Sequence, residues 1–145
     1  MYTRRKTMDQ ECIFCRINRK EIPSITIYEN EEFRVMLDRF PASKGHVLIL
    51  PKKHVEDIYD LEPESAGRLF ELATRFASII KRAFGNEGLN IIQNNGKAAG
   101  QTVPHYHLHM IPRYQDDGMQ LGWVCDKGIS IEELEGYAER IKDEM

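Results

Sequence analysis

Three of the five histidines in this 145-residue chain lie in one short stretch, at positions 105, 107 and 109. One residue separates each histidine from the next, and successive side chains of a β-strand point to opposite faces. We therefore predict a strand over residues 104–113 that carries the three histidines on one face. The side chains between them are predicted on the other face: Tyr106, Leu108 and Met110. Because imidazole is neutral near pH 7 and can act as a nucleophile or proton carrier, the histidine face is predicted to be an active site.

The spacing of the row limits its chemistry. Alternate residues on a strand lie about 6.6 Å apart, so the outer pair spans about 13 Å, too far to share one tetrahedral metal ion. The spacing fits better with separate roles for the three histidines, in which one at the end of the row is structural and the middle one is catalytic. Attack on phosphorus by a ring nitrogen gives a phosphoramidate that water can cleave. Amide groups around Asn94, Gly100 and Gln101 are candidates for holding phosphate oxygens.

Cys12 and Cys15 form a Cys-x-x-Cys pair near the start of the chain, and Cys125 is the third cysteine. Three cysteines do not make a disulfide framework. The pair is typical of a redox couple, of half a metal site, or of two small residues in an apolar turn. The spacing alone leaves these three interpretations open.

Runs rich in β-branched and aromatic residues predict four strands besides the histidine strand, over residues 25–28, 33–38, 46–51 and 89–94. The run at 46–51 is almost continuously apolar, as expected for a strand buried on both faces. A polar loop over residues 95–102 leads into the histidine strand.

Two helices are predicted. Apolar residues recur at three- and four-residue spacing from Pro63 to Phe84, and Gly85 suits the position that ends a helix. A C-terminal helix is expected from about residue 131 to 142, because Ser130 and Glu133 have capping-box spacing. The order of elements predicts an α+β fold, with an antiparallel five-stranded sheet and the helices on one side.

Composition bounds the class of protein. The chain is 41% hydrophobic and 30% charged, with 20 basic and 23 acidic residues. We expect a single domain over residues 11–145, ending in the tail helix, and a disordered extension over residues 1–10. The chain lacks the surplus of basic residues that is typical of nucleic-acid-binding proteins, so no nucleic-acid partner is expected. No apolar run reaches the length needed to span a membrane. Residues 1–10 do not resemble a secretory signal, so the expected location is cytoplasmic.

The segment from His105 to Ile111 resembles the signature of the histidine-triad (HIT) superfamily, in which histidines alternate with apolar residues. Other segments match the family in order: residues 12–17, Asp38, residues 45–54, residues 94–96 and residues 99–103. The resemblance covers roughly residues 11–114 and is closest to bacterial Hit/Hint-like proteins, with Fhit-like dinucleotide hydrolases as relatives. It implies a HIT-like fold, assembled as a homodimer.

The resemblance also implies roles for individual residues. His107 matches the nucleophile that becomes nucleotidylated at the α-phosphate, and His109 matches the neighbour that contacts phosphate and helps the leaving group depart. The implied contacts to phosphate or leaving group are Asn94, Gln101, Thr102 and the amide of Val103, beside Gly100.

A nucleoside-binding site is implied as well. Asp38 matches the acceptor for ribose hydroxyls, which a carboxylate suits. The implied base pocket consists of apolar side chains, for which simple core packing is the alternative: Ile13, Phe14, Ile17 and Leu37. His46 stands outside the motif set, either orienting a ring of the triad or serving as a core histidine.

Zinc-containing members of the family imply an assignment for the cysteine pair. The implied ligands are Cys12, Cys15, His54 and His105. Four protein ligands with no open position are typical of structural zinc rather than catalytic zinc.

Three function hypotheses remain at this point. The favoured one is a nucleotidyl hydrolase that acts through His107 on purine nucleoside phosphoramidates or dinucleoside polyphosphates. The second is a nucleotide-binding regulatory protein with incidental turnover. The third is a metal-dependent hydrolase that uses an open site among the histidines and cysteines. The sequence does not identify the physiological substrate or the preferred purine, and residues 115–145 match no known motif.

Overall fold

The computed structural model of the chain describes residues 11–145 and contains one five-stranded antiparallel sheet in the order β1-β2-β3-β5-β4. The predicted α+β class and five-stranded sheet are confirmed. The predicted disordered extension, residues 1–10, lies outside the described residues. The elements are α1 (Ile13–Asn18), β1 (Thr26–Glu29), β2 (Phe33–Leu37), β3 (Val47–Pro51), α2 (Pro63–Phe84), β4 (Gly88–Ile92), a 3₁₀ turn (Lys97–Ala99), β5 (Leu108–Arg113) and α3 (Ile131–Lys142).

The long helix α2 has the predicted bounds. Pro63 occupies its first turn, and Gly85 ends it in the left-handed conformation at φ 64°, with its N–H donating to the Lys81 carbonyl at 2.9 Å. One stripe of α2 is buried against the sheet: Leu69, Leu72, Ala73, Phe76 and Ile80. Burial of this stripe stabilises one face of the sheet.

The other face of the sheet is covered by the short helix α1, so the prediction that the helices lie on one side is wrong. Phe14 and Ile17 of α1 pack with Met36 and Leu48 of the sheet. Side chains alternate along β2, so Val35 faces α2 whereas Met36 faces α1. A six-residue helix is too short to give a helical period in the sequence. The sheet is therefore sandwiched, and α1 lies on the face that carries the histidines.

The histidine strand begins later than predicted, at Leu108 instead of residue 104. The ladder to β3 ends at the pair Ile49–Leu108, and the Tyr106 N–H donates instead to the Val55 carbonyl at 2.6 Å. The predicted alternation nevertheless holds, because Tyr106, Leu108 and Met110 pack in the core beneath α2. The two earlier histidines thus lie in an irregular segment that leads into β5.

The C-terminal helix α3 has the predicted bounds, and its capping box between Ser130 and Glu133 is formed. None of its residues is buried. Its apolar residues Ile131, Leu134 and Tyr137 are between 45% and 69% exposed. Within residues 11–145 no helix is both long and apolar enough to cross a membrane.

Candidate active site

His107 is held in one tautomer by the backbone. Its Nδ1 lies 2.7 Å from the carbonyl oxygen of His105, and only 7% of the residue is exposed. Because a carbonyl can only accept a hydrogen bond, Nδ1 carries the proton and Nε2 keeps its lone pair. Phe14 packs edge-on against the ring, with 5.1 Å between centroids. The geometry leaves Nε2 as the nitrogen able to attack phosphorus.

His46 fixes the tautomer of His109. The Ala42 N–H donates to Nδ1 of His46 at 3.0 Å, so the proton of the neutral His46 ring is on Nε2. That Nε2 lies 2.9 Å from Nδ1 of His109 and donates to it. His109 therefore carries its own proton on Nε2. Its ring lies beside that of His107, with 4.9 Å between the two ring centroids.

Asp38 lies next to His46 and His109, which are called the His46–His109 pair below. Pairing of β2 with β3 brings the residue opposite His46, whose carbonyl accepts the Asp38 N–H at 3.0 Å. One carboxylate oxygen, Oδ1, accepts the Phe40 N–H at 2.9 Å. The other, Oδ2, lies 3.6 Å from Nε2 of His46 and 4.0 Å from Nδ1 of His109. The carboxylate predicted to bind ribose thus also faces two imidazole rings.

Burial lowers the pKa of His46, His107 and His109, because the imidazolium form loses its hydration. For His109, repulsion from the other two rings lowers the pKa further, to about 4. Asp38 raises the pKa of each ring. The three imidazoles are consequently neutral at pH 7, as a nucleophile requires.

The four predicted metal ligands converge, with their ligand atoms all within 4.8 Å of one another. The Sγ atoms of Cys12 and Cys15 lie 3.3 Å and 3.6 Å from Nδ1 of His105, and Nδ1 of His54 lies 3.3 Å from Cys15. Nε2 of His105 donates to the Pro51 carbonyl at 2.8 Å, so the Nδ1 lone pair points to the thiols. Two thiols and two imidazoles suit one zinc ion.

The polar loop over residues 95–102 is held by hydrogen bonds within itself and by one to the segment after β3. The Gln101 amide accepts from the Gly96 N–H at 2.7 Å and donates to the Glu56 carbonyl at 2.7 Å. The Gly100 N–H donates to the Lys97 carbonyl at 3.0 Å. Direct phosphate contacts from Gln101 and Gly100 would have to compete with these bonds. Asn94 lies close to Gly100 and is half-buried.

The residues predicted to form the base pocket divide into two pairs. Phe14 and Ile17 are each 7% exposed, whereas Ile13 and Leu37 are 45% and 37% exposed. Ile17 packs in the core cluster around α1, which agrees with the simpler core interpretation. Ile13 and Leu37 present apolar surface to solvent, as a pocket wall would. Thr102 is exposed and Val103 half-buried, and their predicted phosphate contacts stay predictions.

Of the two roles predicted for His46, orienting a ring of the triad agrees with its contact to Nδ1 of His109. The contact depends on the pairing of β3 with β5, which are distant in the sequence. The closeness of Asp38 to His46, in contrast, has a signal in the sequence. Asp38 ends one apolar strand and His46 begins the next, so a short connection would bring the two residues together.

Comparison with known proteins gives one family. The HIT domain family matches residues 19–116. Protein hit of Bacillus subtilis is 43% identical over 115 residues, which are 79% of this chain and 79% of that protein. Adenosine 5'-monophosphoramidase hnt1 of Schizosaccharomyces pombe is 36% identical over 135 residues, which are 92% of this chain and 98% of that protein.

Solved structures of similar fold belong to the same family. A HIT family protein from Bacillus anthracis superposes with a TM-score of 0.88 at 39% identity, covering 93% of this chain and 97% of that one. A zinc-bound histidine triad family protein from Mycobacterium smegmatis gives a TM-score of 0.73 at 34% identity, covering 94% and 99%. On sequence, fold and the arrangement of its histidines, the chain belongs to the HIT domain family.

Proposed function

We propose that this protein is a nucleotidyl hydrolase that cleaves at the α-phosphate of purine nucleoside phosphoramidates or dinucleoside polyphosphates. The observation that carries the proposal is the bond from His107 to the His105 carbonyl, which leaves Nε2 as the nucleophilic atom. The similarity to a protein named adenosine 5'-monophosphoramidase supports a nucleotide as the substrate.

In the first proposed step, Nε2 of His107 forms a bond to the α-phosphorus while the bond from phosphorus to the leaving group breaks. The electrons of that bond stay with the leaving atom, which takes a proton from Nε2 of His109 in the form of the His46–His109 pair that carries one additional proton. In the second step, water attacks phosphorus, its proton passes to His109, and the electrons of the N–P bond return to His107. The Nδ1–H of His107 keeps its bond to the backbone throughout, which stabilises the charged nucleotidylated ring.

Around the reacting atoms, the proposed nucleoside site uses Asp38 for the ribose. Phe14, Ile13 and Leu37 would form the wall against the base, since Phe14 already contacts the His107 ring. Asn94 and the loop at Thr102 and Val103 would hold the phosphate. These assignments follow the family pattern, and their support is the closeness of Phe14 and Asp38 to the histidines.

Zinc would be held by Cys12, Cys15, His54 and His105, and it would supply structural cross-linking of α1 to the segment before β5. Four protein donors fill a tetrahedral ion, which favours this role over the metal-dependent hydrolase hypothesis. The nucleotide-binding regulatory hypothesis requires no particular tautomers. The ordered tautomers of His107 and His109 favour the enzyme over that hypothesis.

The homodimer is likewise part of this proposal, with α2 and the neighbouring edge strand β4 as the contact. β4 lies at one edge of the sheet, and Ile91 on it is 44% exposed. A molecular mass of one chain by light scattering at micromolar concentration would refute the dimer. The cytoplasmic location and the absence of nucleic-acid and membrane partners stay predictions, which fractionation of the native cells and binding assays would test.

The proposed function is tested by alkaline quenching during turnover of radiolabelled adenosine 5'-phosphoramidate and diadenosine polyphosphate, because acid cleaves the N–P bond of a nucleotidyl-histidine whereas base preserves it. Wild-type protein should carry a labelled nucleotidyl group on His107. His107→Ala should lose both the label and turnover, by roughly four orders of magnitude or more. Its zinc content should not change, because no zinc ligand is altered. Near-wild-type turnover by His107→Ala on every substrate would show that the covalent route is wrong.

A further inference from the structure

The cluster of Asp38, His46 and His109 contains more than ribose recognition requires. Its ligand atoms lie within 4.8 Å of one another, close enough to suggest a metal site. The hydrogen bonds argue against that use. Nδ1 of His46 accepts from a backbone N–H, so Nε2 must carry the proton and has no lone pair for a metal. The cluster is therefore better suited to handling protons.

Leaving-group departure requires one proton more than this cluster holds when neutral. A neutral imidazole is a very weak acid, so His109 cannot give up its Nε2 proton unless the histidine pair carries an additional one. That additional proton has a specific difficulty. Nε2–H of His46 points at Nδ1 of His109 across 2.9 Å, so a proton on that Nδ1 would set two donors against each other.

Oδ2 of Asp38 lies beside both of these nitrogens, at 3.6 Å and 4.0 Å. A small rotation would let it accept the N–H that the facing ring can no longer accept. It also supplies a negative charge to a buried cation. The carboxylate is already oriented, because Oδ1 is held by the Phe40 N–H.

We propose that Asp38, in addition to any contact with ribose, holds the proton-loaded state of the His46–His109 pair and so makes His109 a usable acid for the leaving group. This inference rests on the proposed function for its chemistry. In the first step the loaded pair gives the Nε2 proton of His109 to the leaving amine and becomes neutral. In the second step the proton released by the attacking water reloads the pair, and Asp38 again accepts the displaced N–H.

Among the described residues, the neighbours of the His46–His109 pair on the adjoining strands and loop do not favour an additional proton on it. The strands flanking His109 place Leu48 and Ile92 opposite it, and neither is charged. His107 opposes a proton on His109, as its effect on that pKa shows. The two cations of the 39–45 loop are turned to aromatic rings, Arg39 to Phe40 and Lys44 to Tyr114. Asp38 is thus the group that favours the charged pair.

Asp38→Asn tests the proposal, because asparagine keeps an oxygen for the Phe40 N–H and for ribose hydroxyls but removes the charge. The substrates are adenosine 5'-phosphoramidate, its 2',3'-dideoxy analogue, and the 4-nitrophenyl ester of adenosine 5'-phosphate, whose leaving group needs no proton. We expect the rate of the first turnover, in which the leaving group departs, to fall about 100-fold on both phosphoramidates. On the ester, release of 4-nitrophenol in the first turnover should slow by less than about fivefold. Asp60→Asn, at an exposed carboxylate, is the matched control.

Two kinetic outcomes would overturn the proposal. An unchanged first-turnover rate on the dideoxy analogue would reduce Asp38 to a ribose contact, and an equal loss of first-turnover rate on ester and phosphoramidates would show a merely structural effect.

A further readout does not need turnover, so it separates this proposal from the proposed function. Imidazole carbon shifts of His109 in the free protein should show less protonation between pH 6 and 4 in Asp38→Asn than in wild type. Identical titrations would reject the role of Asp38. If wild-type protein turned over none of the three substrates, the proposed function would fall, while the titration would still decide whether Asp38 supports the proton.

Discussion

The first and last histidines of the triad, His105 and His109, have the same side chain but different partners. At one end, Nδ1 of His105 faces the thiols of Cys12 and Cys15, and the ring is fully buried. At the other end, Nδ1 of His109 faces a second imidazole, with a carboxylate beside them. The first environment offers lone pairs that suit a metal ion, and the second would serve proton transfer in the proposed mechanism.

His107 lies between these ends and contacts both. Its Nδ1 donates to the His105 carbonyl, and its ring lies beside that of His109. Under the proposed function, His107 is oriented by the His105 end of the row, here called the metal end, and exchanges protons with the His109 end, here called the acid–base end. If this division of roles is correct, a substitution among the metal ligands should leave turnover measurable, and a substitution at His109 should leave zinc binding measurable.

The largest expected effect of breaking one end is on rate. His109→Gln should lower kcat on adenosine 5'-phosphoramidate by roughly 100- to 1,000-fold, because the leaving group loses its proton donor. Glutamine still offers an oxygen to Nε2–H of His46, so the fold should hold. Zinc content by mass spectrometry should equal that of wild type. A variant with normal kcat, or one that lost its zinc, would contradict the division.

Damage to the metal end should mainly affect stability. Cys15→Ser should lose bound zinc and lower the free energy of unfolding by several kcal/mol, because metal binding is coupled to folding. Urea unfolding with and without a chelator measures the change, and Cys125→Ser at the exposed cysteine is the control. The variant that remains folded should keep kcat within about tenfold of wild type. Immediate loss of activity on chelation, with the fold intact, would favour a catalytic metal instead.

The smallest predicted effect is a pH dependence that belongs to the acid–base end. The pKa of His109 is lowered in the fold to about 4 from an ordinary value of 6.5. The unfolded chain therefore binds a proton between pH 6.5 and pH 4 that the folded chain does not, so the stability from neutral His109 is lost as pH falls through that range. The loss is at most about 3 kcal/mol.

Unfolding free energies of wild type and His109→Gln, measured between pH 7 and 4, check this effect. Protonation of the metal ligands affects both proteins and cancels in the difference. The variant should lose less stability than wild type on acidification. Parallel profiles would mean that the pKa of His109 is not lowered.

Local signals predicted some elements well. Pro63 and Gly85 bound α2, and Ser130 with Glu133 begins α3, because caps depend on residues within a few positions of the helix end. The start of β5 was predicted four residues early, because a strand ends where its partner stops pairing. The convergence of the metal ligands followed from the family pattern. The contact of Asp38 with His109 did not, because it depends on the register between β3 and β5, which are distant in the sequence.

The carbonyl oxygen that holds His107 in one tautomer belongs to the backbone of His105. A point substitution can delete any side chain in this site, but every amino acid that replaces His105 brings a carbonyl with it. Natural variation can therefore exchange the cysteines and the His105 ring, and with them the metal, without removing the group that orients His107. If the proposed zinc and mechanism are correct, a lineage could lose the metal and keep the reaction, provided that other contacts restore the stability that the metal supplied.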